Sequence, residues 1–492
     1  MKYIIYGFLL CMLTACSKHF LEIYPDTSLN EGNFYTSESE FIILANGCYV
    51  PMRNYEKSDH WVIAELISDN GTKQYNSVTG EPYRGIIDQL TLTADNAIYS
   101  DFWDLSYNGI ARCNKLLYEL DRHEISWSDT ALKARCAGEA LLLRALYYFN
   151  LVRQFGGVPL VLQPITSQES VGIKRSEEEA VYESIIGDLN DAILRFSHAT
   201  QVEEKGRANL EAARALLGKV YLTLHRYTDA ISMLEPVIQS GKYSLLPDYA
   251  ALFNPANKDF KETIFAIQYS ENSAELSNRF IFWFAPWNSG GHVTGRPNIS
   301  VIGGGFNIPT DDLIRAFEPG DKRKEVSVGY WTGTDWDGVV RPLPYCAKYR
   351  PPISAPDDRC GDNLPVIRYS DVLLMYAEAL NDQGKTSTAI PYVRQVRSRA
   401  GLSGTLDGYS QAKLDSLIAR ERQKEFCFEN QRWYDLKRTG KALEVMKAHG
   451  ERLKQDEPFL PANSYQMTPQ KLLAPIPAEQ VLLNQITQNP GY

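Results

Sequence analysis

Residues 138–159, GEALLLRALYYFNLVRQFGGVP, form the stretch that decides the fold. Its apolar residues recur at intervals of three and four, and this spacing places them on one face of a helix. They are Leu141, Ala145, Tyr148, Phe149 and Val152, and the face is widened by Leu142, Leu146 and Leu151. The stretch therefore predicts a helix that is buried on most sides. Gly156 and Gly157 are expected to end it, because glycine readily adopts the left-handed conformation found at helix ends.

The composition indicates a large folded protein that does not bind nucleic acid. Hydrophobic residues make up 44% and charged residues 23% of the 492 residues, which is ordinary for a folded chain. The formal net charge is -9, whereas a nucleic-acid partner normally requires a basic surface. Aromatic residues make up 11% of the chain, and this content suits a ligand-binding surface as well as a helical core.

The first residues predict export and lipid anchoring. Lys2 precedes an apolar run over residues 4–13, which is too short to span a bilayer and is typical of a signal peptide. The segment ends with Leu13-Thr14-Ala15-Cys16, which resembles a bacterial lipobox, in which the cysteine is diacylated. We therefore expect residues 1–15 to be a signal peptide and Cys16 to carry palmitate-type lipid that anchors the protein. Ordinary secretion with a chance cysteine is the alternative.

The remaining cysteines do not predict a metal or redox site, because no CxxC motif occurs in the sequence. Cys346 and Cys360 flank a proline-rich loop, and they could either pair or stay free, since export permits disulfides. Four others occur in helical patterns and are expected to be small buried apolar residues. These four are Cys48, Cys113, Cys136 and Cys427.

An internal repeat predicts pairs of antiparallel helices. Residues 213–238 read ARALLGKVYLTLHRYTDAISMLEPVI, in which Gly218, Tyr221 and Ala230 match the tetratricopeptide spacing. A second copy uses Tyr376, Ala377, Leu380, Ala389 and Val393, and Ala145 and Tyr148 of the first helix share the register. Stacked helix pairs bury a common core. The sequence therefore predicts a mainly α fold, a tetratricopeptide-like scaffold with long loop-rich insertions and a few short strands.

Several ordered blocks resemble the SusD/RagB family of outer-membrane lipoproteins, which bind nutrients beside a TonB-dependent transporter. The blocks are LLLRALYYFNLVRQFGGVPLV (141–161), PTDDLIRAFEPGDKR (309–323), VIRYSDVLLMYAEALND (366–382), RERQKEFCFENQRWYDLKRTG (420–440) and LLAPIPAEQVLLNQITQNPGY (472–492). The resemblance extends over residues 16–492. It implies a SusD-like helical region over residues 16–259 and a RagB/SusD region with the ligand loops over residues 260–492.

The resemblance also implies a function. It predicts a lipid-anchored outer-membrane protein that faces the cell exterior and captures an oligosaccharide without cleaving it. The partner implied is a SusC-type TonB-dependent transporter, and no cofactor is expected. Two alternatives remain open, which are a peptide-binding uptake protein of the RagB kind and a glycoside hydrolase.

The sequence offers little support for catalysis. The motifs GxSxG, HExxH and GxxxxGK[ST] do not occur. Asp311 and Asp312 could form a catalytic pair or bind calcium, but Thr310 and Asp311 more simply cap a short helix. A run of charges at helical spacing predicts salt bridges rather than the opposed carboxylates of a glycosidase. The run comprises Glu421, Glu425, Glu429, Arg432, Asp435 and Arg438. We therefore expect a protein that is not an enzyme and holds no metal.

Aromatic residues in polar, loop-like sequence are the candidate ligand contacts. Long loops on a rigid scaffold usually carry function, and residues 260–365 are rich in Gly, Pro, Trp and Asn. Sugar rings present apolar faces that stack on indole and phenol rings, while amides bind the hydroxyl groups. The candidates are Trp61, Tyr75, Tyr83, Trp283, Trp287, Asn288, Trp331 and Trp336. Partial burial in the core is the alternative for each ring.

Overall fold

A computed structural model describes residues 34–57, 59–75, 82–199, 205–256, 258, 261–295, 304–350, 359–457 and 460–492. The predicted signal peptide and Cys16 lie outside these residues, so both stay predictions. The fold is mainly helical with short strands, which confirms the predicted class. Within the described residues, no helix has the length and apolar character required to cross a membrane.

The helices fall into two groups along the chain. The first group consists of α1 (Glu38–Lys57), α2 (Pro82–Asp88), α3 (Ala97–Arg122), α4 (Thr130–Phe155), α5 (Ser167–Ser170), α6 (Glu178–Ser197), α7 (Leu210–Thr223) and α8 (Tyr227–Gln239). The second consists of α9 (Phe280–Phe284), α10 (Gly291–Thr294), α11 (Asp311–Ala316), α12 (Arg323–Ser327), α13 (Tyr369–Asp382), α14 (Thr386–Arg399), α15 (Gln411–Glu425), α16 (Arg432–Arg438), α17 (Ala442–Asp456) and α18 (Ala478–Leu483). Single π or 3-10 turns occur at Val62–Leu66, Tyr249–Phe253 and Pro469–Leu472.

In the part of the chain that the structure describes, six strands form three antiparallel pairs. The strands are β1 (Gly71–Thr72), β2 (Thr263–Ile267), β3 (Ile308–Pro309), β4 (Val328–Thr334), β5 (Val340–Cys346) and β6 (Leu364–Arg368). β1 pairs with β3, β2 with β6, and β4 with β5. Each pair except the β4–β5 hairpin joins segments that are distant in the sequence. Cys346, at the end of β5, is a free buried thiol, so the possible disulfide to Cys360 is not formed.

The central helix α4 has the burial that its sequence predicts. Asp129 caps it by accepting a hydrogen bond from the backbone N–H of Ala131 at 2.8 Å. Gly156 ends it with a φ of 73°, in the region that favours glycine. Nearly every residue from Arg135 to Phe155 is buried. This helix therefore lies inside the scaffold and packs against α3 and α6.

One hydrophobic core extends through the described residues from Tyr35 to Ile486. It includes Phe265 of β2 and Leu364 of β6 together with the side chains of α4. Residues on both sides of the predicted boundary at 259 and 260 therefore contribute to the same core. The division into two regions stays a prediction.

The predicted helix pairs are confirmed as α7 with α8 and α13 with α14. Gly218 of α7 lies against Leu234 of α8, and a Cβ at Gly218 would approach the Leu234 side chain to 2.6 Å. A distance below 3.0 Å requires the neighbouring side chain to move. The glycine therefore allows the two helices to approach closely, which is the role that small residues have in such repeats.

Buried ion pairs connect helix α15 to the rest of the scaffold, as the charge spacing predicted. Arg323 binds Glu421 at 2.8 Å and Glu425 at 3.2 Å, and all three side chains are fully buried. Arg368 binds Glu425 at 2.9 Å and Glu429 at 2.7 Å. Burial opposes the ionisation of Glu425, but the arginines outweigh it and hold its pKa below the ordinary range. Glu421 and Glu425 are therefore ionised partners of arginine.

Asp311 and Asp312 also have structural partners. Thr310 caps α11 by accepting a hydrogen bond from the Leu313 N–H at 3.2 Å, as predicted. Asp311 pairs with Arg315 at 2.7 Å. Asp312 binds His449 at 2.6 Å and Arg452 at 2.7 Å. The two neighbouring carboxylates therefore face different partners, as expected for consecutive residues of a helix.

We predict that Gly218→Ala destabilises the protein although alanine favours helix by about 1 kcal/mol. Overpacking against Leu234 costs about 1–3 kcal/mol, so the free energy of unfolding should fall. Gly187 of α6 is the matched control, because a Cβ there has no neighbouring atom within 4 Å. Gly187→Ala should leave stability unchanged or raise it. Urea unfolding of both variants checks this, and equal stabilities would contradict the close approach of α7 and α8.

Candidate functional site

Three loops that carry predicted site residues meet at one place on the surface. They are residues 73–75 after β1, residues 285–292 between α9 and α10, and the tip of the β4–β5 hairpin at residues 334–340. Gln74 accepts a hydrogen bond from the Trp287 N–H at 3.0 Å and donates one to Asp335 at 3.3 Å. The side-chain amide of Asn288 donates to the Thr334 carbonyl. We call the group Tyr75, Trp287, Asn288, Trp331 and Trp336 the aromatic surface.

The tip of the aromatic surface carries two exposed rings. Tyr75 is 37% exposed and Trp336 is 42% exposed. Their ring centroids are 5.0 Å apart and the rings meet edge to face. Aromatic pairs of this geometry are attractive. The two residues, which are far apart in the sequence, therefore form one apolar platform with solvent around it.

Trp331 extends the aromatic surface along the hairpin. It lies on β4 opposite Leu343 of β5, and its ring covers Gly333 two residues further along the strand. Any side chain at Gly333 would meet the indole, so glycine makes room for the ring. His292 of α10 lies parallel to Trp331, with ring centroids 6.4 Å apart. The middle of β4 and the tip of the hairpin therefore both contact residues 285–292.

A second, deeper layer of rings supports the aromatic surface. Trp61 and Trp283 lie with their ring centroids 6.3 Å apart. Phe306 donates its backbone N–H to the Trp283 carbonyl at 2.9 Å, and Arg84 stacks on the Phe306 ring at 4.3 Å. Trp61 is only 2% exposed, so it lies in the core instead of contacting a ligand as predicted. Trp283 is half-buried and packs against the same core.

Tyr83 is exposed but lies on a different element. It belongs to α2, and its backbone carbonyl accepts a hydrogen bond from Asn96 at 2.9 Å. Its neighbour Arg84 reaches the deeper layer of rings and pairs with Asp59 at 2.7 Å. Five of the eight predicted contacts thus form the aromatic surface, two support it from below, and Tyr83 is separate from both groups.

Carboxylates lie behind the aromatic surface. Asp88 accepts hydrogen bonds from the Thr72 hydroxyl and the Lys73 N–H, both at 3.0 Å. Burial raises the pKa of Asp88 to about 6. Burial, together with the nearby Asp88 and Asp335, raises the pKa of Glu457 to about 8. Across the residues that the structure covers, no group of three or more His, Cys, Asp or Glu has the arrangement of a metal site.

Sequence reasoning missed Gln74 and His292. Gln74 is buried and contacts segments more than 200 residues away, so no local pattern identifies it. His292 is an isolated histidine, and only its position beside Trp331 gives it a place on the surface. Both residues can be identified only from their contacts in the tertiary structure.

We predict different effects of removing a ring from the two layers. Trp61→Ala should lower the free energy of unfolding by about 3–5 kcal/mol, because it leaves a cavity in the core. Trp336→Ala should lower it by about 1 kcal/mol or less, because the side chain is 42% exposed. Chemical unfolding of the two variants provides the comparison. Equal losses would show that the two tryptophans do not occupy different layers.

We predict that Glu457→Gln raises stability more at pH 8 than at pH 4.5. The folded protein holds the Glu457 proton up to a pKa of about 8, whereas the unfolded chain releases it near the ordinary glutamate pKa of 4.5. The contribution of Glu457 to stability is therefore present at low pH and is lost as pH rises through 8. Glutamine does not titrate, so it contributes no such pH dependence. Glu451→Gln, at an exposed position of the preceding helix α17, is the control, and Tm at the two pH values is measured.

Comparison with known proteins identifies the family. A model described as the SusD family matches residues 343–492, and one described as "Starch-binding associating with outer membrane" matches residues 19–222. The chain is 26% identical to SusD-like protein P25 of Formosa agariphila over 99% of both chains.

Solved structures agree with this assignment. A laminarin binding SusD-like protein superposes with a TM-score of 0.77 at 28% identity, and 93% of this chain and 100% of that chain are covered. Surface glycan-binding protein A from Bacteroides thetaiotaomicron in complex with laminarihexaose shares the fold, with a TM-score of 0.75 at 21% identity over 92% of this chain and all of the other. Two family models that together match more than half of the sequence, relatives over the full length and a shared fold show that the chain belongs to the SusD family.

Proposed function

We propose that this protein binds a neutral oligosaccharide on the aromatic surface and delivers it uncleaved to a SusC-type TonB-dependent transporter. The observation that carries the proposal is the exposed pair of rings, Tyr75 and Trp336, where three loops meet. Such rings offer flat apolar faces to the C–H faces of sugars. His292 is exposed and stacks on Trp331 of the same surface, and its ring nitrogens can bind hydroxyls.

The similarity to a laminarin binding SusD-like protein supports a glycan as the ligand. That protein is 28% identical to this chain, and the match covers 93% of this chain and 100% of the other. Laminarin, a neutral glucan, is therefore the first ligand to test. A peptide would depend on backbone hydrogen bonds more than on ring faces, and peptide binding is treated as an outcome of the test.

The charges at the hairpin tip favour a neutral ligand over an acidic one. Arg341 lies 3.5 Å from Asp335 and also pairs with Asp337. One cation is thus shared by two carboxylates, and the tip has a net negative charge. An acidic glycan would meet repulsion there, whereas a neutral glycan would not.

The absence of cleavage is part of the proposal. Glycosidases require two opposed carboxylates, one of which accepts and donates a proton. Asp335 and Asp337 are bound to the same arginine, and Glu421 and Glu425 are buried ionised partners of Arg323. These contacts support a binding protein. Release of reducing sugar from laminarin by the purified protein would contradict it.

We further propose that lipid on Cys16 anchors the protein to the outer membrane with the aromatic surface toward the cell exterior. The description of the matching family model, "Starch-binding associating with outer membrane", supports this location. The lipobox-like sequence before Cys16 supports the anchor. The SusC-type transporter as partner rests on the family resemblance.

We predict that Tyr75→Ala and Trp336→Ala weaken laminarin binding. A stacked ring contributes about 1–3 kcal/mol by analogy with base stacking, which corresponds to about 5- to 150-fold in Kd. Tyr118→Ala, at an exposed tyrosine of α3 away from the aromatic surface, is the matched control and should bind normally. Isothermal titration with protein that starts after Cys16 provides the affinities, and alginate serves as the acidic comparison.

The outcomes separate the candidate functions. Binding of laminarin or another neutral glycan that both ring variants lose supports the proposal. Glycan binding that is unaffected in both variants would place the site elsewhere. Failure to bind any glycan of a broad panel, together with binding of peptides, would favour the peptide-binding alternative.

A further inference from the structure

We propose that Gln74 is the positioning residue of the aromatic surface, and that its side-chain amide sets the spacing of the rings without contacting the ligand. The inference rests on the proposed function for its effect on affinity. Its structural basis is independent of that function. The aromatic pattern of the sequence does not reveal Gln74.

Gln74 connects three separate segments. Its Oε1 atom accepts a hydrogen bond from the Trp287 N–H at 3.0 Å, and its Nε2 atom donates to Asp335 Oδ1 at 3.3 Å. Its own backbone N–H donates to the Gly305 carbonyl at 2.7 Å. The residue is 5% exposed, so these hydrogen bonds are shielded from water. One buried side chain therefore joins the loops that carry Tyr75, Trp287 and Trp336.

The surroundings of Gln74 hold its side chain in one place. Gly305 has a φ of +81°, and a Cβ at this position would lie 2.7 Å from Gln74 Oε1 and 2.8 Å from Gln74 Cβ. The backbone of residue 305 thus packs directly on the glutamine. A side chain confined in this way positions its amide more precisely than an exposed one.

Asp335 transmits the position of Gln74 to the ring of Trp336. The same Asp335 Oδ1 atom accepts the Gln74 amide and the Trp336 N–H, the latter at 2.9 Å. Tyr75 follows Gln74 in the chain, and Trp336 follows Asp335. The hydrogen bond between the two side chains therefore fixes the separation of the exposed rings.

Position 74 requires a side chain with both a hydrogen-bond acceptor and a hydrogen-bond donor. Trp287 needs an acceptor and Asp335 needs a donor, and glutamine supplies both. Glutamate at position 74 can still accept from Trp287 but places a second carboxylate beside Asp335. The two like charges repel each other, so Gln74→Glu should separate the loops. Asp335→Asn added to this variant supplies a donor from the other side and restores a complementary pair.

The experiment is a double-mutant cycle on laminarin affinity. Titration calorimetry is done on the wild type, Gln74→Glu, Asp335→Asn and the double variant. We expect Gln74→Glu to weaken binding about tenfold or more, and the double variant to recover most of this loss. Gln163→Glu makes the same chemical change at an exposed glutamine outside the surface and should bind like the wild type. Normal affinity of Gln74→Glu, or a double variant as weak as Gln74→Glu, would overturn the inference.

A second measurement needs no ligand. Hydrogen exchange of residues 285–292 and 334–341 should be faster in Gln74→Glu than in the wild type and should slow again in the double variant. Exchange elsewhere, for example in α4, should stay the same in all four proteins. If the wild type binds no glycan, the proposed function fails, but exchange still decides whether Gln74 holds the loops. Unchanged exchange in Gln74→Glu would refute its positioning role.

Discussion

The rest of the structure depends on one interaction, the buried ion pairs between arginine and the glutamates of α15 and of the residues that follow it. Arg368, at the end of β6, binds Glu262 before β2, Glu425 of α15 and Glu429 beyond it. Removing one member of such a buried group leaves an uncompensated charge and costs about 3–5 kcal/mol. The group therefore joins the β2–β6 ribbon to the helices of the second half of the scaffold. This connection is the base from which the loops extend.

The same ionic group holds both ends of the hairpin that carries the aromatic surface. Arg323, just before β4, is bound by Asp321 at 2.7 Å and by Glu421 at 2.8 Å. Lys348, just after β5, is bound by Glu429 at 2.6 Å. The hairpin thus begins and ends in buried salt bridges, and its tip extends to the surface. Rigid anchorage at the base allows exposed rings to keep a defined position without being buried themselves.

Contacts at the tip complete the arrangement. Along the aromatic surface, polar hydrogen bonds from Gln74 and Asn288 hold the hairpin to the loop over residues 285–292. Beneath them, Trp61 and Trp283 supply an apolar layer that continues into the core. The site therefore combines a hydrophobic base with hydrogen bonds that set geometry. Tyr75 and Trp336 remain partly exposed at its tip.

The sequence by itself determined the scaffold. The apolar spacing of α4, the small residue at Gly218 and the cap at Thr310 act within a few residues or one helix pair, so their structural effect can be read locally. The charge spacing from Glu421 onward indicated salt bridges, but the partners Arg323 and Arg368 come from distant segments that only the tertiary structure identifies. The ordered sequence blocks likewise indicate the family from the sequence alone.

Only the tertiary structure decided which aromatic residues are buried and which are exposed. Trp61 and Trp336 occur in similarly polar sequence, yet one lies in the core and the other at the surface. The hydrogen bond between Gln74 and Asp335 joins residues 261 positions apart. Helical periodicity is a property of neighbouring residues, whereas exposure and loop contact depend on which distant segments pack together.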